Sequence, residues 1–150
     1  MRIYLVVMDE TAEAEVALRF AARRAVKTGG GVEILALVPA ADFVPWGGVQ
    51  ATIEEEARQR AEGLVAAAAG TLFTESGLKP AITVRQGDAS KVIREIIAGN
   101  PEIAALVLAA AASGAPGPLI SHFASDTGGL TIPLMIIPGA LSVEAIDRLS

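Results

Sequence analysis

The 150-residue sequence predicts a single α/β domain built on an open parallel sheet, and three observations carry that reading. Apolar runs free of Gly and Pro, such as Ile3 to Met8 and Ile103 to Ala109, are hydrophobic on both faces, as strands covered from both sides must be. These runs alternate with helical segments of ten or more residues, the pattern of right-handed βαβ units. Hydrophobic residues make up 52% of the chain but aromatics only 4%, so the core is largely Ala, Val, Ile and Leu, which lets helices pack closely on a sheet. The length suits one core, and no repeat or low-complexity linker divides it.

Ile3 to Met8 is the first strand and ends at Asp9. From Thr11, a residue suited to an N-cap, residues 12–28 form a helix with Val16, Ala17, Phe20, Ala21 and Ala25 on one side. Its other side carries Glu15, Arg19, Arg23 and Lys27 at intervals of four, acid first and cations last, which complements the helix dipole. Gly29-Gly30-Gly31 stops the helix and, since it follows a helix rather than a strand, is not a phosphate loop. Val32 to Val38 is the second strand, and a connection from Pro39 to Gly48 follows. Trp46 in that connection lies over a binding site or anchors the connection to the surface.

Thr52 and Glu55 have the spacing of a capping box and predict a helix to about Glu75, with a core stripe of Ile53, Ala57, Ala61, Leu64, Ala68 and Leu72 and a stop at Gly77. Ala81 to Arg85 is a shorter third strand. Asp88 then caps a helix that buries Val92, Ile93, Ile96 and Ile97 and ends at Asn100-Pro101. Ile103 to Ala109 is the fourth strand, and it runs into a loop of small residues, Gly and Pro that reaches Ser121, with Leu119 to Phe123 opening another helix. Leu134 to Ile137 is a fifth strand between Pro133 and Pro138, and a short helical tail occupies about 142–149.

Composition removes several functions. A net charge of −5 and a pI near 4.9 disfavour nucleic acid, whose binding rests on Lys and Arg releasing counterions. With no Cys and one His there is no disulfide, thiolate site or His-cluster metal site, and the cytoplasm is the expected compartment. The apolar segment Ile3 to Met8 is too short for a signal peptide, and residues 103–112 fall short of the roughly 20 needed to span a membrane.

In an open parallel sheet, ligands bind beyond the carboxyl ends of the strands, here at Asp9 and Thr11, Val38 and Pro39, Gln86 to Asp88, and Ala109 to Ser121. On these segments the sequence resembles the universal stress protein family over nearly its whole length. Val7-Met8-Asp9-Glu10-Thr11 matches the family's Val-Asp-Gly-Ser turn, Gln86-Gly87-Asp88 precedes the third helix, and Pro133 to Pro138 matches its final strand. The resemblance implies a Rossmann-like sheet of order 3-2-1-4-5, similar to the adenine nucleotide alpha hydrolases, with helices on both faces. It also implies a homodimer and, in one branch of the family, ATP held by a loop of Gly, two residues, Gly, nine residues, then Gly-Ser or Gly-Thr.

That loop is where the chain departs from the family. Ala109 and Ala112 stand at the first two glycines and Ile120-Ser121 at the last pair, leaving only Ser121, while Gly114 and Gly117 are the chain's own. Side chains stand where a backbone must approach phosphate, Pro116 and Pro118 each remove an N–H, and no Lys or Arg occurs between Ile103 and Leu141. A nucleotide, if bound, would be contacted by Asp9, Thr11, Val38, Ala109, Gly114, Gly117, Ser121 and His122, with adenine near Asp9 and Val38. Each has a structural alternative: Asp9 caps a helix or accepts loop N–H groups, Ser121 is an N-cap, and His122 packs. The leading expectation is a non-enzymatic binding or regulatory dimer, for a small ligand or protein partner, that does not bind ATP tightly. The second is an adenine-nucleotide switch or slow ATPase taking ATP or AMP. A serine hydrolase is weakest, since no Gly-x-Ser-x-Gly turn exists. Leu134, Met135, Ile136 and Ile137 form an uncharged strand placed at the sheet edge by the resemblance, so it is expected to pair with the same strand of a second copy.

Overall fold

The computed structural model describes residues 1–39 and 47–150, and the side chains of 47–50 are outside that description together with Trp46 and most of its connection. The elements are β1 (Ile3–Met8), α1 (Ala12–Thr28), β2 (Gly31–Val38), α2 (Gly47–Ser76), β3 (Ala81–Gln86), α3 (Ala89–Gly99), β4 (Ile103–Ala110), α4 (Pro118–Ser125), β5 (Leu134–Pro138) and α5 (Val143–Leu149). A turn of 3-10 helix at Thr127–Gly129 links α4 to β5.

Five parallel strands lie in the order β3-β2-β1-β4-β5, with helices on both faces. β1 is central, and its Val6 lies beside Ile34 of β2 and Val107 of β4. Because side chains alternate along a strand, Tyr4, Val6 and Met8 join Ile34, Ala36, Val107 and Ile137 under α1, α2 and α5. Leu5 and Val7 join Leu35, Leu106 and Leu108 on the opposite face, where α3 and α4 supply Ile93, Ile97 and the fully buried Phe123. Ala14, Ala17, Ala21, Ala22 and Ala25 are all buried on α1, which is the close helix-on-sheet contact that an aliphatic, aromatic-poor composition allows.

Local signals set most boundaries. Gly29 takes the left-handed conformation after α1, and the Gly77 N–H bonds the Phe73 carbonyl after α2. Asp88 accepts the Lys91 N–H, and Ser142 accepts the Ala145 N–H, each capping its helix.

Three expectations are corrected. α2 starts at Gly47 rather than at Thr52, so Thr52 and Glu55 lie inside the helix; adding residues to an existing helix costs far less than starting one, and no Pro intervenes. Ile53 is 48% exposed, and Val65 takes a core place instead, because the stripe that meets the sheet begins lower on α2. Thr11 occupies the N-cap position of α1, but its hydroxyl donates to the Asp9 carboxylate and makes no cap bond. Arg19, Arg23 and Lys27, spaced in the sequence to complement the helix dipole, also bond the C-terminal segment. Arg19 and Arg23 both donate to the Asp147 carboxylate of α5, and Lys27 donates to the carbonyls of Asp147 and Ser150.

Candidate ligand-binding site at the strand ends

The carboxyl ends of β1 and β4 diverge over the start of α1 and the start of α4, and the gap between them is a cleft of about 160 Å³. β1 ends at Asp9, whose side chain accepts the Thr11 N–H at 2.9 Å as well as the Thr11 hydroxyl. This local turn, built by a short acid bonding the backbone two residues on, fixes the carboxylate at the rim.

Across the cleft, β4 releases the chain at Ala110 into a loop that closes on itself, with the Ala111 N–H bonding the Pro116 carbonyl at 3.1 Å. Gly117 follows with φ +119°, a conformation that side chains rarely adopt, and Pro118 is the first residue of α4. The helix N-terminus therefore faces the cleft with one of its free N–H donors replaced by a proline nitrogen. Gly139, just after β5, packs against the same corner. A Cβ there would lie 2.2 Å from the Ala110 carbonyl oxygen and 3.0 Å from the Glu13 Cβ.

Of the residues the sequence singled out, Asp9, Thr11, Ala109 and Gly117 line this one cleft. Val38 is elsewhere, buried under the α1 and α2 face, with its carbonyl taken by the Gly87 N–H. Gly114 is at the exposed tip of the loop. Ser121 lies within α4 rather than at its cap, donating its N–H to the Gly117 carbonyl, and its side chain is exposed. His122 does pack: its ring meets Phe123 edge-on, and its Nε2 lies 3.4 Å from the Arg94 guanidinium. At the β3 end, Asp88 serves α3, and the Ser90 hydroxyl and Lys91 N–H hold its carboxyl below the ordinary carboxylate range.

The sequence reading missed Glu13, which stands in the first turn of α1 on the cleft wall. Its spacing of two from Thr11 places it near the site, but the helical stripes draw attention to the residues at intervals of four. The described lining thus holds two acids, Asp9 and Glu13, and no Lys, Arg or His. Apolar side chains of Val7, Leu108, Leu119 and Ile120 supply the rest.

Among the described residues no helix is long and apolar enough to cross a membrane. No curated protein matches the sequence. Among solved structures the fold is shared with the universal stress protein UspA from Lactobacillus plantarum, at 19% identity over 91% of this chain and 97% of that one, with a TM-score of 0.79. It is shared too with the universal stress protein from Archaeoglobus fulgidus in complex with dAMP, at 17% identity over 91% and 97% of the two chains and a TM-score of 0.60. A universal stress protein family protein from Arabidopsis thaliana with AMP bound aligns at 13% identity over 92% of each chain, also at 0.60. The strand order agrees with a sequence match of residues 1–126 to the model of that same family, so the chain belongs to the universal stress protein family.

Proposed function

We propose that this protein is a binding or regulatory member of its family that does not hold ATP tightly, and that its strand-end cleft takes a small ligand of little or no negative charge. The observation that carries the reading is the described cleft lining, with two carboxylates, no cation and a volume of about 160 Å³, below the roughly 300–1,000 Å³ of most small-molecule sites. A triphosphate brings about four negative charges toward Asp9 and Glu13, and the donors that would offset them are reduced by Pro116 and Pro118. The Ala111 N–H is already bonded within the loop.

Calorimetry with Mg-ATP, AMP and adenosine tests this. We expect no ATP binding in the micromolar range and, if any of the three binds, the uncharged nucleoside to bind best. Micromolar ATP affinity that Gly117→Ala weakens would overturn the reading. A second reading, a mononucleotide-responsive switch, is favoured by the structural neighbours that hold AMP and dAMP and by Asp9, whose carboxylate is placed at the rim to accept a ribose hydroxyl. AMP binding stronger than adenosine binding, lost in Asp9→Ala, selects it.

A further inference from the structure

We propose that the trough between α1, α2 and α5 is a second binding site, for a small molecule with an apolar body and a cationic head, of the alkylammonium class. It is a half-open trough of about 500 Å³, inside the usual range for ligand sites, and among the described residues it shares no lining with the strand-end cleft. Val16 and Leu18 of α1 form its floor, Leu64 and Leu72 of α2 one wall, and Leu141 and Ile146 the other. The Leu141 and Ile146 wall lies beyond residue 126, outside the segment that matches the family model.

The trough stays open for two physical reasons. Ala12 and Ala22 on α1 and Ala67 and Ala68 on α2 are too short to fill the space between the helices. Arg19 then fixes the width: it donates to Asp147 of α5 at 2.8 and 3.0 Å and to Glu75 of α2 at 3.1 Å, so that one side chain ties both walls across α1.

Charge selects the head group. Glu15 and Glu75 line the trough, and the charge of Arg19, its cation, is already met by Glu75 and Asp147. Among the described residues Glu15 forms no ion pair. The lining therefore carries an unmet negative charge beside an apolar slot, which repels an anionic head and attracts a cationic one.

The experiment is calorimetry and methyl NMR with decylammonium, decanol and decanoate, each below its aggregation concentration. We expect decylammonium to bind most tightly and decanoate least, with shifts at the methyls of Val16, Leu64 and Ile146. Glu15→Gln should weaken the amine by about threefold, the scale of a solvent-exposed charge pair, and leave decanol unchanged. Ala67→Trp, at an exposed position on the wall, should fill the slot and abolish binding of all three while the thermal midpoint is kept. Decanoate binding as well as the amine would overturn the head-group assignment. No amine binding at millimolar concentration, or shifts confined to the strand-end cleft around Asp9, would overturn the site.

Discussion

At the scale of single residues the candidate site is held by backbone contacts as much as by side chains, and Gly139 is the clearest case. Its missing Cβ is what lets the exit of β5 lie against the Ala110 carbonyl and the first turn of α1. Gly139→Ala puts carbon 2.2 Å from a backbone oxygen, so the two strand exits must separate, at a cost of about 1–3 kcal/mol. Gly70→Ala is the opposite case: it is exposed within α2, has nothing within 4 Å, and should stabilise by about 0.5–1 kcal/mol. Urea unfolding of the two variants checks both signs, and a Gly139→Ala variant as stable as wild type would refute the close approach. The sequence could show the caps at Asp88 and Ser142, because their partners are three residues away. It could not show Gly139, whose partner Ala110 is distant in the chain and is brought near only by β4 and β5 pairing.

At the scale of elements, α5 is a helix of seven residues, too short to persist alone, and it is kept in place by Ile146 in the core and by the cations of α1. Arg19, and then Arg23, hold the Asp147 carboxyl below its ordinary value of 3.8 through hydrogen bonds that favour the ionised form. A carboxylate whose pKa is depressed by folding stabilises the fold fully above its unfolded value and loses that contribution as pH falls through the lower folded value. Docking of α5 should therefore be insensitive to pH between neutral and about 5 and weaken below about 4, with Asp88 acting in the same direction at α3. Asp147→Asn should lower the thermal midpoint at pH 7 and flatten its decline in acid. Melting curves from pH 7 down to 3 measure this, and an unchanged acid slope in the variant would remove Asp147 from the account. The spacing of Arg19, Arg23 and Lys27 was visible in the sequence, as was the terminal helix, but nothing local says that the one is bonded to the other. The Thr52 and Glu55 pattern failed for the converse reason: a local signature was present, and the helix extended past it.

At the scale of the whole molecule the strand order and the two-sided core were legible, since they follow from apolar runs, alternation and a family resemblance spread along the chain, whereas the cleft opens between the ends of β1 and β4 and not between those of β1 and β2, where Asp9 and Val38 were expected to meet adenine. The trough between α1, α2 and α5 was not legible, because it is made of what three distant segments leave unfilled. The two sheet edges, β3 and β5, carry backbone groups left to satisfy. β3 presents Ile82 at 47% exposure, but Arg85 projects from the same strand into an ion pair with Glu95, and a charged side chain guards an edge against further pairing. β5 has no charge, and Ile136 is 43% exposed on it while Leu134 and Met135 are half-buried. Ile137 is already covered within the chain, so a partner would bury Ile136 and Leu134 and take up the free N–H and C=O groups of the edge. We predict a two-fold homodimer in which β5 pairs with β5 of a second copy, a self-complementary contact that covers the β5 edge of both protomers and leaves outward only the β3 edges, which Arg85 guards. Size exclusion with light scattering should give a dimer for wild type at tens of micromolar and a folded monomer for Ile136→Lys, whereas Ile82→Lys on β3 should stay dimeric. A monomeric wild type, an Ile136→Lys variant that remains folded and dimeric, or loss of the dimer in Ile82→Lys alone would each remove β5 as the interface, the last by moving it to the opposite edge of the sheet.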